Sequence, residues 1–201
     1  MRSIDLPNRD QSAQTHWHVE DYDGLHILAP DASFDIVFSS NVLEHIRTLE
    51  LTLSEVRRVL RPGGMAIHIL PSASWRLWTS LGHPAGIARD SLRGVSAGLT
   101  PSHEPGAIAR TTRPSVAKKL LDLLIASPHG EYSSASSELW YFTRYRWKSY
   151  FAAHGWTVMQ AFGNRLAYTG WGFFPSMPLG VRRVGALLLG SSTRTFVLVP
   201  D

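Results

Sequence analysis

The most chemically suggestive part of the chain is a row of small polar residues that follows an apolar, strand-like run. Residues 33–46 read SFDIVFSSNVLEHI, so that Ser39, Ser40 and Asn41 stand between the apolar run and a Glu-His pair. Hydroxyl and amide groups can bind a polar ligand, and an imidazole that titrates near neutral pH can accept a proton. Serine and asparagine also cap helices, and Asn41 is predicted to cap a short helix that begins near Val42.

Two further acids end or follow short β-like runs. Asp5 ends the run that begins at Arg2, and Asp21, with Tyr22, follows the run HWHVE at 16–20. A carboxylate is an acceptor that can take two donors. Each acid also has a purely local interpretation, as a turn acid or the first residue of an Asx-turn.

The histidines of the second run do not predict a metal site. His16 and His18 would share one strand face and could imitate a metal pair, but no third ligand stands near them in the sequence. Ordinary packing or exposure is the favoured interpretation.

Periodicity predicts an α/β fold that positions these groups. The apolar face of 33–40 is nearly continuous, which predicts a strand buried on both faces in a parallel sheet. A helix over 49–60 that ends at RPGG and a strand over 65–70 complete a βαβ unit. Further elements are a helix over 143–155 and strands over 2–6, 16–20, 156–162 and 194–200.

Two segments interrupt this pattern. Residues 71–135 are rich in Gly, Pro, Ser and Arg, with a helical pattern only at 115–126, and are predicted to form a capping insertion. Residues 163–192 form a second loop, in which 181–190 could lie on lipid or pack in the core. Aromatic side chains in these segments could line an acceptor pocket or anchor the loops: Trp75, Trp78, Trp140, Tyr141, Trp171, Phe173 and Phe174.

Two sequence blocks carry a resemblance to a known family. SFDIVFSSNVLEHI, followed by SEVRRVLRPGGMAIHILP, resembles the second half of a class I S-adenosylmethionine-dependent methyltransferase domain. The resemblance implies one domain over 1–201, with a Rossmann-like, mostly parallel sheet, flanking helices and an antiparallel final strand. It also implies a first strand and a Gly-rich loop before Asp5, so that the domain is expected to be N-terminally incomplete.

The same resemblance implies a site and an activity. Asp5 would accept hydrogen bonds from the ribose hydroxyls, and Asp21 with Tyr22 would bind the adenine. Ser39, Ser40 and Asn41 would line the cofactor pocket, and His45 would act as a base. A simpler role for His45 is that of a polar residue at the start of a helix beside the pocket. The implied activity is methyl transfer from S-adenosylmethionine to a small or hydrophobic acceptor. The alternative is a non-catalytic methyltransferase-like subunit that binds a complete partner protein.

Composition narrows the partners and the cellular location that the sequence predicts. The 201 residues carry a net charge of +4 with scattered cations, so nucleic acid is not an expected partner. The chain has no cysteine, which fits a reducing, cytoplasmic location. No apolar stretch is long enough to span a bilayer, although contact with a membrane surface stays open.

Overall fold

A computed structural model of the chain describes residues 2–5, 18–96, 129–131, 134–169 and 177–201. The chain divides into two compact units, each considered below by itself. Unit 1 consists of Met1–Leu70, Arg144–Phe162 and Thr195–Asp201, and unit 2 of Pro71–Thr143 and Gly163–Arg194. The single-domain organisation stays a prediction.

Some expectations fall outside the described residues. These are the helix at 115–126, the first two residues of the run at 16–20, and the aromatic residues Trp171, Phe173 and Phe174.

The described residues form six strands and five α-helices. In chain order the elements are β1 Ser3–Asp5, β2 Val19–Asp21, β3 Phe34–Ser40, α1 Leu49–Val59, β4 Leu60–Pro71, α2 Ala73–Ser96, α3 Ala135–Tyr141, α4 Arg144–Ala153, β5 Trp156–Gly163, α5 Leu179–Leu189 and β6 Thr193–Pro200.

The strands form two sheets. β1 and β2 pair in parallel, and a four-stranded sheet has the order β3-β4-β6-β5 with β3 and β4 parallel. β6 runs antiparallel to β5, because the amide of Asp201 bonds to the carbonyl of Gly155 while the amide of Asn164 bonds to the carbonyl of Thr193. The predicted α/β class, with parallel pairs and an antiparallel final strand, is confirmed.

The core of unit 1 lies between α1, α4 and the larger sheet. α1 buries Leu49, Leu53 and Val56, which recur at helical spacing as predicted, while its arginines stay at the surface. Burying each such side chain stabilises the fold by roughly 1.5–3 kcal/mol. The other members of this cluster are Leu43, Leu60, Ala66, Leu70, Trp147, Phe151, Trp156, Phe196 and Leu198.

The expectation that β3 is buried on both faces is wrong. Val37 packs against the core, but Ile36 and Phe38 are 54% and 61% exposed. Among the described strands, β3 lies at the edge of its sheet, and the α1/α4 core covers only the face on which Val37 lies. A continuous apolar run therefore marks the strand correctly without showing how many faces are covered.

The RPGG sequence at 61–64 follows the end of α1, and it forms part of β4 instead of a separate turn. Phe34 of β3 pairs with Leu60 and Ile36 pairs with Met65, so five residues along β4 match two along β3. Gly63 takes a φ of +80°, which favours glycine. A Cβ on Gly64 would lie 3.0 Å from the carbonyl oxygens of Arg61 and Asp35, a tight approach that a side chain could make only if this backbone shifted by a few tenths of an ångström.

The 24-residue helix α2 was not predicted from the sequence. Its interior holds Pro84, and its buried face carries Trp75, Arg76, Thr79 and His83. A stripe with three polar members lacks the apolar periodicity that predicts a helix. The short helix α3 was missed as well; its capping box pairs the side chains and amides of Ser134 and Ser137.

The interpretation of 181–190 as a core segment is also wrong. α5 has no buried residue, and Leu187 and Leu188 are each 83% exposed. None of the helices in the described ranges is long and apolar enough to cross a membrane.

Candidate functional site

Two acids stand side by side at the carboxyl ends of the two-stranded parallel sheet. Asp5 and Asp21 are register partners, both are exposed, and the amide of Tyr22 donates to the carbonyl of Asp5 at 2.8 Å. The strands are also joined by an ion pair between Arg2 and Glu20, with Nε 2.9 Å from Oε1. Ligands of open α/β sheets bind outside the carboxyl ends of the strands, which is where this acid pair lies.

Tyr22 continues from the acid pair into a local turn. The ring is half-buried, its hydroxyl has no hydrogen-bond partner among the described residues, and burial raises its pKa. The next residue, Asp23, accepts from the amides of Leu25 and His26 at 2.7 Å, and these bonds lower the pKa of Asp23. The Asx-type turn considered for Asp21 is therefore made by Asp23.

A second group of polar residues lies at the end of β3. The hydroxyl oxygen of Ser39 is 2.7 Å from Nδ1 of His68, which β4 supplies from the neighbouring register position. His68 is 1% exposed and stacks on Phe151, with ring centroids 6.2 Å apart. Burial lowers the pKa of His68 to about 4, so its imidazole is neutral at physiological pH.

The surroundings of His68 favour one tautomer. Nε2 is buried and has no hydrogen-bond partner in the described part of the chain. A buried donor without a partner is rarer than a buried acceptor without one, which favours the proton on Nδ1. Nδ1–H then donates to the Ser39 oxygen and leaves the Ser39 hydroxyl proton for another acceptor.

Ser40 and Asn41 complete this strand end. Both are exposed; Ser40 pairs with Ile69, and the amide of Asn41 donates to the Ile69 carbonyl at 2.9 Å. The prediction that Asn41 caps a helix is wrong: the residue before the single 3-10 turn Leu43–His45 is Val42, without a side-chain cap. Asn41 instead has a φ of +52°, a left-handed conformation that asparagine tolerates, and turns the chain away from the strand.

Glu44 and His45 have opposite environments. Glu44 is 1% exposed, neither carboxyl oxygen has a hydrogen-bond partner among the described residues, and burial raises its pKa to about 7. The His45 side chain is 44% exposed, with Nε2 3.8 Å from Oε1 of Glu44. The strand end thus carries a buried carboxyl with a raised pKa beside an exposed imidazole.

The predicted residues therefore form two groups. We call Asp5, Asp21 and Tyr22 the acid-pair group, and Ser39, Ser40, Asn41, Glu44, His45 and His68 the strand-end group. Sequence reasoning missed His68 and the burial of Glu44. His68 interrupts the apolar strand MAIHIL at a buried position, which was an available signal, whereas the burial of Glu44 had none.

Both groups lie in one segment that matches a known family. Residues 4–68 match the family described as "Methyltransferase domain". The predicted family is confirmed over this segment. The match covers about a third of the chain and ends at His68, while the segments of unit 2 lie beyond it.

Comparison with known proteins gives fold-level likeness only. The chain is similar to an S-adenosylmethionine dependent methyltransferase from Mesorhizobium loti, with 13% identity, a TM-score of 0.46 and coverage of 97% of this chain and 78% of that one. It is also similar to PKMT2 from Rickettsia typhi in complex with AdoHcy, with 12% identity, a TM-score of 0.43 and coverage of 91% and 39%. No curated protein sequence matches the chain.

Proposed function

We propose that this protein transfers the methyl group of S-adenosylmethionine to a small or hydrophobic acceptor. The observation that carries the proposal is the in-register placement of Asp5 and Asp21 at the carboxyl ends of adjacent parallel strands, inside the segment that matches the methyltransferase domain. A cytoplasmic location belongs to the same proposal, since a chain without cysteine requires no oxidising compartment.

The residues present fit this cofactor. Exposed carboxylates can accept both hydroxyl protons of a ribose, and a half-buried tyrosine ring beside them offers an apolar face to a purine. The strand-end group adds the Ser39 hydroxyl proton, which His68 leaves available, and the exposed polar groups of Ser40 and Asn41. The cofactor would therefore be held by Asp5, Asp21, Tyr22, Ser39, Ser40 and Asn41.

The chain's own residues need to supply position and, for some acceptors, a base. When bound, S-adenosylmethionine supplies an electrophilic methyl group on a sulfonium. Much of the acceleration of such a displacement can come from holding the reactants in line. An oxygen or nitrogen acceptor must also lose a proton, and His45, exposed beside the buried Glu44 carboxyl, is proposed to take it.

Calorimetric titration with S-adenosylhomocysteine tests the cofactor site. We expect micromolar binding, about −8 kcal/mol, by the native chain. The double substitution Asp5→Asn, Asp21→Asn should weaken it by at least about thirtyfold, because two charge-assisted hydrogen-bonding sites become neutral. Asp35→Asn is the matched control: it also removes an exposed carboxylate of unit 1, one that pairs with Arg61.

The possible outcomes distinguish an error in the assignment of the cofactor site from an error in the proposed function. Unchanged affinity in the double variant would contradict the acid-pair site alone. No binding by the native chain would overturn the methyltransferase proposal and favour a non-catalytic subunit.

Transfer of a radiolabelled methyl group from S-adenosylmethionine into an organic-solvent extract of cells tests the acceptor and the base. We expect label in the extract, less of it with His45→Gln, and S-adenosylhomocysteine affinity unchanged in that variant. His26→Gln provides the control, as an exposed histidine in unit 1. Equal incorporation by His45→Gln and the native chain would exclude His45 as the base.

A further inference from the structure

α5 presents an apolar face to solvent. Val181, Val184 and Leu188 recur at intervals of three and four residues, so they lie along one side of the helix, and Leu187 adjoins Val184. Their exposures are 52%, 60%, 83% and 83% respectively. Four large aliphatic side chains this exposed on one short helix form a patch of the kind that binds a partner or a lipid surface.

The opposite side of α5 contacts other residues of unit 2. The carbonyl of Arg182 accepts from the amide of Ala167 at 3.1 Å, and a Cβ on Gly185 would touch the Cβ of Ala167 at 3.4 Å. At the helix end, Nε1 of Trp78 on α2 donates to the carbonyl of Leu189 at 2.8 Å. The helix is thus anchored within unit 2 by backbone bonds and small residues, and these contacts leave its leucines outward.

The sequence segment that contains α5 carries charges of one sign. Residues 163–194 contain the arginines Arg165, Arg182, Arg183 and Arg194 and no Asp or Glu. Arg183 is exposed on α5 itself, one residue before Val184. An apolar face flanked by arginine, with no acid in the segment, complements a surface that is negative outside and apolar beneath.

We propose that α5 docks unit 2 on a membrane surface that contains anionic lipids. The helix has 11 residues, about 16 Å, which is too short to span the hydrocarbon layer, so it would lie in the interface with its leucines in the acyl region. A second copy of the chain is a poorer occupant, because a twofold contact through this face would bring Arg183 against Arg183. The inference is independent of the cofactor site and goes beyond methyl transfer.

Co-sedimentation with vesicles tests the proposal. The native chain should sediment with phosphatidylcholine vesicles that contain phosphatidylglycerol, and less with phosphatidylcholine alone or at high salt. Leu187→Glu, Leu188→Glu should weaken binding more than about tenfold, and Arg183→Gln about fivefold. Leu51→Glu is the matched control, an exposed leucine on α1 that is 53% exposed.

Each outcome either supports the docking proposal or contradicts it. Circular dichroism should show all variants folded, since the altered side chains are exposed. Native binding that the double variant retains, or no binding to anionic vesicles, would overturn the proposal. Sedimentation velocity without lipid that shows a native dimer, and a monomeric double variant, would assign the face to a second copy instead.

Discussion

The two ends of the β3–β4 strand pair use polar residues in opposite ways. At the start of the strands, an open cavity of about 430 Å³ is lined by Arg57, Arg58 and Arg61. At the other end, the strand-end group buries Glu44 and His68, whose carboxyl oxygens and Nε2 have no hydrogen-bond partner among the described residues. The open cavity and the strand-end group, with its buried polar atoms, therefore lie at different edges of the same sheet.

The arginines at the start of the strands are already engaged within unit 1. Arg58 bonds to Glu55, Asp31 and the carbonyls of Ile27 and Ala29, and the carboxylates raise its pKa. Arg61 donates to both carboxyl oxygens of Asp35 at 2.9 Å.

Arg57, the third of these arginines, bonds to the Gly155 carbonyl and lies over the Trp156 ring at 5.3 Å. These contacts stabilise the fold locally. Buried polar groups without partners distinguish the two ends better than the size of a cavity does.

The largest expected effect lies at the strand-end group. Glu44→Gln should leave the free energy of unfolding nearly unchanged at pH 5 and raise it by about 3 kcal/mol at pH 8. The folded pKa of Glu44 is about 7, above its ordinary value, so its contribution is complete at low pH and is lost as the pH rises through 7. Urea unfolding at both pH values measures the difference.

His68 provides an internal check on that experiment. Its folded pKa of about 4 lies below its ordinary value, so its contribution is lost as the pH falls from 6.5 towards 4. The Glu44→Gln variant should therefore still lose stability below pH 6.5. Equal gains at pH 5 and pH 8 would show that Glu44 is not a buried proton holder.

An effect of intermediate size is expected for the Ser39–His68 pair. Ser39→Ala should cost about 1–3 kcal/mol of stability, because the buried Nδ1–H loses its acceptor, and about fivefold in S-adenosylhomocysteine affinity. Ser39→Ala with His68→Leu should recover most of the stability, since both polar partners are then gone, but not the affinity. Urea unfolding and calorimetry separate the two quantities, and recovered affinity in the double variant would mean that Ser39 only fills space.

The smallest effect on binding is expected at the start of the strands. Arg61→Met removes the pair with Asp35 and should lower the midpoint of thermal unfolding slightly, while cofactor affinity stays within about twofold of the native value. Calorimetry with S-adenosylhomocysteine is again the measurement. A large loss of affinity would move the candidate site to the cavity and reverse the comparison.

Sequence reasoning predicted the framework of unit 1 well. The strand at 33–40, the helix at 49–60 and the final strand carry strong local patterns, since one apolar stripe or run decides each element. The exposure of Ile36 and Phe38 could not be predicted, because it depends on which elements cover each face of the sheet. α2 was missed because Arg76, Thr79 and His83 are buried there, where a sequence pattern leads one to expect apolar residues.

The candidate site could likewise be predicted only in part. Asp5, Asp21 and the Ser-Ser-Asn run could be named from their positions after strands, although their roles stay predictions. The contact of Ser39 with His68 joins residues 29 positions apart in the sequence, and the burial of Glu44 likewise depends on tertiary packing. Such contacts leave no local signature.

One ion pair in unit 2 has a consequence for how that unit opens. Nε of Arg76 on α2 lies 3.0 Å from Oε2 of Glu138 on α3, with the two side chains 2% and 0% exposed. The other oxygen of Glu138 accepts from the amides of His129 and Gly130 at 2.6 Å. Because one buried carboxylate holds both the guanidinium on α2 and these two amides, the ion pair and the amide bonds support one another, and we expect these amides to exchange their hydrogens with solvent mainly in openings that also separate α3 from α2.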